Sequence, residues 1–270
     1  MKVALCCIGR LENQYAVEFV EWYKKLGFNK IFIYDNNHGK EEHFEEVLQP
    51  YIDDGLVEVV PFRDMEKVQL KAYTDCYNTY GKDYDWMAFF DFDEFLVLAN
   101  DTDIHSFLEK FNDFDCVKIN WMTYTDNELI NNDGRPVNER FTQPADFNLR
   151  VQYRFPENNH VKSIVRCGKE NFVWKWSPHI PVCVKSPCNA NGESSNNKPF
   201  QLYTFKNAYL KHFPTKTIEE YIRVKLRRGV ADRRYSTFID TYGMSKFFKY
   251  NKRTPEKVNF IKNLIINRNK

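Results

Sequence analysis

Glycine and proline are scarce in this 270-residue chain, at 10 and 11 residues. That excludes collagen-like repeats and low-complexity linkers. Long apolar runs are missing as well, and none approaches the ~20 residues of a membrane-spanning helix. The opening Met1–Ile8 is too short for a secretory leader, and no small-residue cleavage site follows it. This reading places the chain in the cytoplasm. The seven cysteines are an odd number, and Cys6 and Cys7 adjoin inside an apolar stretch, which speaks against a disulfide framework. Neither G-x-G-x-x-G nor G-x-x-x-x-G-K-[ST] occurs, so a dinucleotide fingerprint and a P-loop are both excluded. Any bound phosphate must be held by metal and basic side chains.

Aromatic residues are plentiful: 23 Phe, 16 Tyr and 5 Trp in a chain that is 43% hydrophobic. This supplies the core of one large α/β domain, with a regular half (1–120) and a second half that carries the C-terminal helices (121–270). The net charge of +2 is unevenly spread. From Lys206 to Lys270 there are 17 Lys/Arg against 5 Asp/Glu, and before it 22 against 32. A basic tail on an acidic body suits an anionic partner, or a solvated helical face docked on its own body.

Hydrophobic periodicity predicts strands at Lys2–Ile8, Lys30–Tyr34, Leu56–Pro61, Trp86–Phe90 and Cys116–Asn120. Helices are predicted between them, over Gln14–Leu26 with Asn13 as cap and Gly27 as stop, Glu41–Tyr51, Val68–Tyr80, and from a cap at Asp101 or Asp103 through Lys110. Such alternation implies a mostly parallel sheet with helices on both faces, and ligands beyond the strands' carboxyl ends. Three polar clusters fall there: Gly9–Asn13, Asp35–Asn37 and Asp91–Glu94. Beyond Asn120 the pattern is less regular, with strand-like pieces at Val161–Cys167, Phe172–Trp176 and Phe200–Leu210. Helices close the chain at Ile218–Arg228, near Phe238–Tyr250, and at Pro255–Asn267.

The stretch Trp86-Met-Ala-Phe-Phe-Asp-Phe-Asp-Glu-Phe-Leu-Val-Leu98 carries the chemistry. An apolar run breaks into Asp91, Asp93 and Glu94 and then resumes. Burying unpaired carboxylates costs several kcal/mol, so the acids need a reason to be there. In extended chain, Asp91 and Asp93 project to one side. Two oxygen ligands at a strand end suit a hard cation, Mn2+ or Mg2+, that keeps positions open for phosphate oxygens. A solvated turn is the plainer alternative. With Asp35 to read a nucleotide and Lys225, Arg227 and Arg228 to add positive charge, the pattern fits a nucleotide-diphosphate-sugar site.

The chain resembles the family-92 glycosyltransferases and related bacterial enzymes of the GT-A fold. The matching residues are Glu12-Asn13, Glu18-Phe-Val-Glu-Trp22 and Gly27, then Ile33-Tyr-Asp-Asn36, Gln69, and Trp86 through Phe95. Further on come Asn120-Trp121 with Asp126, Lys162-Ser-Ile-Val-Arg166 and His179. The series ends in His212, Lys216, Glu220, Lys225 and Arg228-Gly229. The resemblance implies a GT-A, Rossmann-like sheet and a metal-dependent inverting transfer of a hexose, galactose among the candidates. The donor would be a nucleotide sugar, commonly a UDP-sugar, and the acceptor a glycan or lipid-linked glycan in surface polysaccharide synthesis. It also implies Asp91, Asp93 and His212 as metal ligands, with Glu12, Asp35, Gln69, Asp91, Lys225 and Arg228 around the donor. Inversion needs a carboxylate base at the acceptor hydroxyl, and Asp126 is the first candidate, with Glu128 and Glu139 behind it. The basic tail with Phe247, Phe248 and Tyr250 could rest on an anionic membrane, and no nucleic-acid partner is expected. Two other readings compete: a haloacid-dehalogenase-like phosphatase with Asp91 as nucleophile, and a non-catalytic glycan- or nucleic-acid-binding module.

Overall fold

Strand β1 (Val3–Gly9) is buried along its whole length and serves two cores at once. Val3, Leu5 and Cys7 enter one core with helices α1 (Asn13–Lys25) and α2 (Glu45–Asp53). Ala4, Cys6 and Ile8 enter the other with α3 (Gln69–Tyr80). Side chains alternate along a strand, so a continuous apolar run means a sheet covered on both faces. Cys6 and Cys7 therefore point apart, and all seven cysteines are free thiols. The computed structural model describes residues 1–147, 156–168, 172–229 and 243–268.

Helix α1 forms because Ala16, Phe19, Val20 and Tyr23 recur on one buried face. Fully burying one such Phe contributes about 1.5–3 kcal/mol. The helix stops at Gly27, whose φ of 86° few other residues tolerate. Gly27 N–H donates to Lys24 O and Phe28 N–H to Tyr23 O, and the Phe28 ring packs on Tyr23, which together close a Schellman motif.

The described strands form one sheet in the order β3-β2-β1-β4-β7-β6-β9-β5, with β8 (Pro187–Asn189) paired to β6. β2 (Lys30–Asp35), β3 (Val57–Pro61) and β4 (Trp86–Phe89) run parallel with β1, as expected. β7 (Val161–Arg166) inserts antiparallel between β4 and β6 (Cys116–Thr123). The sheet is thus mixed α/β and mostly parallel. Two strands were not anticipated: the short β8, and β5 (Glu94–Leu98), which pairs antiparallel with β9 (Ala208–His212). β4 and β5 are four places apart in the sheet yet joined by four residues. A flat sheet would separate them by about 19 Å. The short link, which contains a turn, cannot span that, so the sheet curls. The Asp91–Glu94 corner lies where the chain leaves the central strands for the far edge.

Helix α4 (Ile104–Leu108) is capped by Asp103, whose Oδ1 accepts from Ser106 N–H at 2.8 Å. A short α5 (Val137–Arg140) follows β6. Of the looser predicted pieces, Phe172–Trp176 makes only an isolated bridge at Val173, and Phe200–Leu210 contracts to β9. Helix α6 begins at Ile218–Glu220, passes through a π turn at Tyr221–Lys225 and ends at Leu226–Arg228. α7 (Gly243–Tyr250) and α8 (Pro255–Arg268) complete the fold, and the predicted stretch at 238–242 lies outside the described residues. Phe247 is buried against Tyr221, and the Tyr250 hydroxyl donates to Glu157 Oε1 at 2.9 Å. Two of the three aromatics expected at a membrane are therefore packed inside. No helix among the described residues is long and apolar enough to cross a membrane.

Candidate active site

The carboxyl ends of β1, β2 and β4 and the amino end of antiparallel β7 open onto one cleft. Gly9, Arg10 and Glu12 reach it from β1, Asn36 from β2, Asp91 and Asp93 from β4, and His160 from the approach to β7. His212 reaches it from the end of β9, and Lys225 and Arg228 from α6. The three polar clusters picked from the sequence do converge.

Asp91–Glu94 is a turn rather than extended chain, closed by Glu94 N–H donating to Asp91 O at 3.0 Å. Asp91 and Asp93 still share the cleft, because Phe92 between them anchors the turn from below. Its ring packs on Phe19 and Phe44, with centroids at 4.6 and 5.2 Å. Gly9 allows this approach. A Cβ there would stand 2.6 Å from the Phe92 ring and 2.7 Å from Phe44.

Each acid has its own environment. Asp91 Oδ1 accepts from Gln69 Nε2 and the Tyr73 hydroxyl, both at 2.7 Å, and lies 3.0 Å from Lys162 Nζ. Its other oxygen takes none of these contacts. Lys162 is completely buried, and although burial disfavours its charge, Asp91 and Glu94 keep it protonated above the usual lysine range. Asp93 Oδ2 is 3.0 Å from Lys225 Nζ. Burial alone would raise the Asp93 carboxyl, but Lys225, with Lys216 and Arg228 behind it, holds it well below the usual range. Glu94 is fully buried and engaged on both oxygens, by Trp121 Nε1 and by Asp91 N–H, each at 3.0 Å. Burial pushes its carboxyl well above the ordinary value despite Lys162.

His212 stacks on Trp121 with ring centroids 4.1 Å apart, and its buried Nδ1 has no hydrogen-bond partner. Burial pulls the imidazole down to about 3 against the opposing field of Asp93, so it is neutral at physiological pH. Ligand atoms of Asp93, Glu94 and His212 converge within 4.8 Å of one another. A neutral ring nitrogen without a partner beside an ionised carboxylate is a donor set for a divalent ion. The residues present therefore fit a metal, with Asp91 adjoining the converging group rather than inside it. A second group, Asp35, His43 and Glu45, already carries the Arg63 guanidinium on Asp35.

The π turn in α6 ends at Lys225, and Arg228 follows three residues on, so both side chains leave one helix face. Arg228 pairs with Glu12 Oε1 and donates to Arg10 O at 2.8 Å. Glu12 Oε2 is buried without a partner.

Of the residues singled out in the sequence, Glu12, Gln69, Asp91, Asp93, His212, Lys225 and Arg228 line the cleft. Two others do not. Asp35 is buried behind Asn36, accepting from Asn37 N–H and Nδ2 at 2.9 and 2.7 Å and pairing with Arg63. Asp126 is buried in an ion pair with Lys257 of α8, and its N–H donates to Asn251 Oδ1 at 2.8 Å. The reserves Glu128 and Glu139 also lie off the cleft; Glu128 pairs with Lys252 at the surface. Sequence reasoning passed over Glu157 and His160, both of which line the cleft from a 3-10 turn before β7. It also gave no role to Lys162, whose only visible signal was a lysine inside an apolar strand.

The sequence pattern of glycosyltransferase family 92 matches residues 2–220. The chain belongs to glycosyltransferase family 92. Among curated relatives, the galactan beta-1,4-galactosyltransferases GALS3 and GALS2 of Arabidopsis thaliana are 29% and 27% identical to it over 133 residues. That is 47% of this family-92 chain and 26% of either relative, so the match spans about a quarter of their length. Among solved structures, Staphylococcus aureus TarS 1–349 has a TM-score of 0.44 at 12% identity, over 95% of this chain and 77% of that fragment. Its complex with UDP-GlcNAc gives 0.39 at 15% identity, over 62% of this chain and 45% of that one.

Proposed function

We propose that this family-92 protein is a metal-dependent, inverting glycosyltransferase that moves a hexose from a nucleotide-diphosphate sugar to a glycan acceptor. The observation that carries this reading is the meeting of the Asp91–Asp93 turn, a neutral His212 and the cations Lys225 and Arg228 in one cleft at the sheet's carboxyl edge. The names of the curated relatives favour galactose as the sugar and a galactan-like glycan as acceptor; a UDP-sugar donor and a lipid-linked acceptor are the further expectations of the family resemblance. Family membership leaves the phosphatase and pure binding readings without support.

In this reading Asp91, Asp93 and His212 would hold Mn2+ or Mg2+, which supplies charge neutralisation for the departing diphosphate. Lys225 and Arg228 add positive charge at the same place. Asn36, fixed by donating to Phe62 O and Met65 O at 2.9 Å, presents the 62–67 loop as the nucleotide wall. Asp35 supports that wall from behind through Arg63 instead of touching the nucleotide. The acceptor hydroxyl must lose its proton to a base on the far side of the sugar. Asp126, tied to Lys257 outside the cleft, is replaced in this role by Glu157, the cleft carboxylate that stands before β7.

Thermal stabilisation by UDP-, GDP- and CDP-sugars, each with Mn2+ or with EDTA, tests the reading. One nucleotide class should raise Tm only with Mn2+, and Asp93→Ala should remove the shift. A folded wild type that responds to none of them contradicts it.

A further inference from the structure

Two lysines touch the Asp-Phe-Asp turn, and they are built differently. Lys162 projects from the middle of the sheet, is completely buried and lies 3.2 Å from the Tyr73 hydroxyl as well as 3.0 Å from Asp91. It has nowhere to go. Lys225 stands at the end of a π turn, keeps 15% of its side chain exposed, and reaches Asp93 Oδ2 at 3.0 Å. π turns inserted in α-helices recur at functional sites. Asp93 belongs to the same converging group as His212, whose buried Nδ1 has no hydrogen-bond partner. An ammonium and a divalent ion on one carboxylate repel each other, so each weakens the other's hold on Asp93.

The geometry points to Lys225 as a placeholder cation: it occupies the carboxylate of the metal site until a divalent ion displaces it and frees it for the donor's diphosphate. This rests on the metal-dependent reading above and assigns Lys225 a positioning role within it. The balance of charge supports the exchange. Without an ion, the carboxylates Asp91, Asp93 and Glu94 face the ammonium groups of Lys162, Lys225 and Lys216, and Arg228 is matched by Glu12. A dication alone adds positive charge to a group already matched, whereas a dication with a diphosphate brings its own compensation. The ion is therefore held weakly by the empty cleft and strongly with nucleotide, and Lys225 couples the two events. Coupling of this kind is reciprocal.

The test is Mn2+ binding to the full chain without any sugar, followed by electron paramagnetic resonance of free Mn2+, for wild type, Lys225→Met, Lys225→Gln and Asp93→Asn. Removing the competitor should tighten Mn2+ binding about tenfold in both Lys225 variants, and Asp93→Asn should abolish it. Added UDP should then tighten Mn2+ binding strongly in wild type and much less in Lys225→Met. The two Lys225 variants guard against an accident of one side chain, and unchanged circular dichroism confirms that each is folded. Equal or weaker Mn2+ binding by both variants, with Asp93→Asn still inactive in binding, overturns the placeholder role alone. No Mn2+ binding by any form, with or without UDP, overturns the metal-dependent reading and the placeholder with it.

Discussion

Glu94 Oε1 accepts from Trp121 Nε1 at 3.0 Å, and its other oxygen accepts from Asp91 N–H at the same distance. One fully buried carboxylate thus ties the acidic turn to the platform on which His212 stacks. Glu94→Gln keeps the shape but turns an acceptor into a donor facing an N–H. The expected cost is about 1–3 kcal/mol, the penalty for an unsatisfied buried group. Urea denaturation at pH 7 measures it, and Mn2+ affinity should fall in the same variant because the turn loses its brace.

Gly9→Ala tests the close approach beneath that turn. The added methyl meets the Phe92 and Phe44 rings well inside contact distance, so the aromatic stack must shift. Overpacking of this kind costs about 1–3 kcal/mol. Because Phe92 separates Asp91 from Asp93, donor and metal affinity should drop along with Tm. A Gly9→Ala protein of wild-type stability would contradict the packing described.

Acid should weaken the fold in two stages. Burial holds the imidazoles of His179 and His212 far below the ordinary histidine value of 6.5, so the folded protein keeps them neutral while the unfolded chain takes up protons. Their contribution is complete above about pH 6.5 and is lost as pH falls. Glu220 follows lower down. Burial alone would raise its carboxyl, but the Arg140 guanidinium, at 2.8 and 2.9 Å, holds it below 4.5. Its contribution is full above about pH 4.5 and disappears as pH drops through the folded value. Glu220→Gln should cost about 3–5 kcal/mol at pH 7, since it strands Arg140 in the interior. Urea titrations at pH 7, 5.5 and 4 should show the gap between wild type and Glu220→Gln closing only at the lowest pH.

Asp126→Asn separates a structural from a chemical role. Asp126 pairs with Lys257, which is completely buried, and loss of the carboxylate leaves that ammonium uncompensated. The expected result is a stability loss of about 3–5 kcal/mol with donor turnover per folded molecule kept. Glu157→Gln should do the reverse: Tm near wild type and turnover down by about 100-fold or more. A specific turnover defect in Asp126→Asn would restore it as the base.

Much of this architecture is visible in the residues themselves. The two-sided apolar run of β1, the face of α1 and the Gly27 stop follow from local chemistry, and acids set between Phe90 and Phe95 mark the cleft. What stays hidden depends on partners far along the chain. Asp35 and Asp126 look like exposed site acids until Arg63 and Lys257 are seen to claim them. β5 is a short apolar stretch whose strand character comes from β9, more than a hundred residues later. Glu157 and His160 sit on a 3-10 turn that has no periodicity to read.

The most direct test of the central claim is turnover of UDP-galactose followed by proton NMR, with Mn2+ or EDTA, on wild type and Asp93→Ala. The account predicts slow release of UDP with Mn2+ and an initial product whose anomeric configuration is inverted from the donor. EDTA should stop it, and Asp93→Ala should lower it about 100-fold or more. Turnover that continues unchanged in EDTA and in Asp93→Ala, or a product with retained configuration, would contradict it.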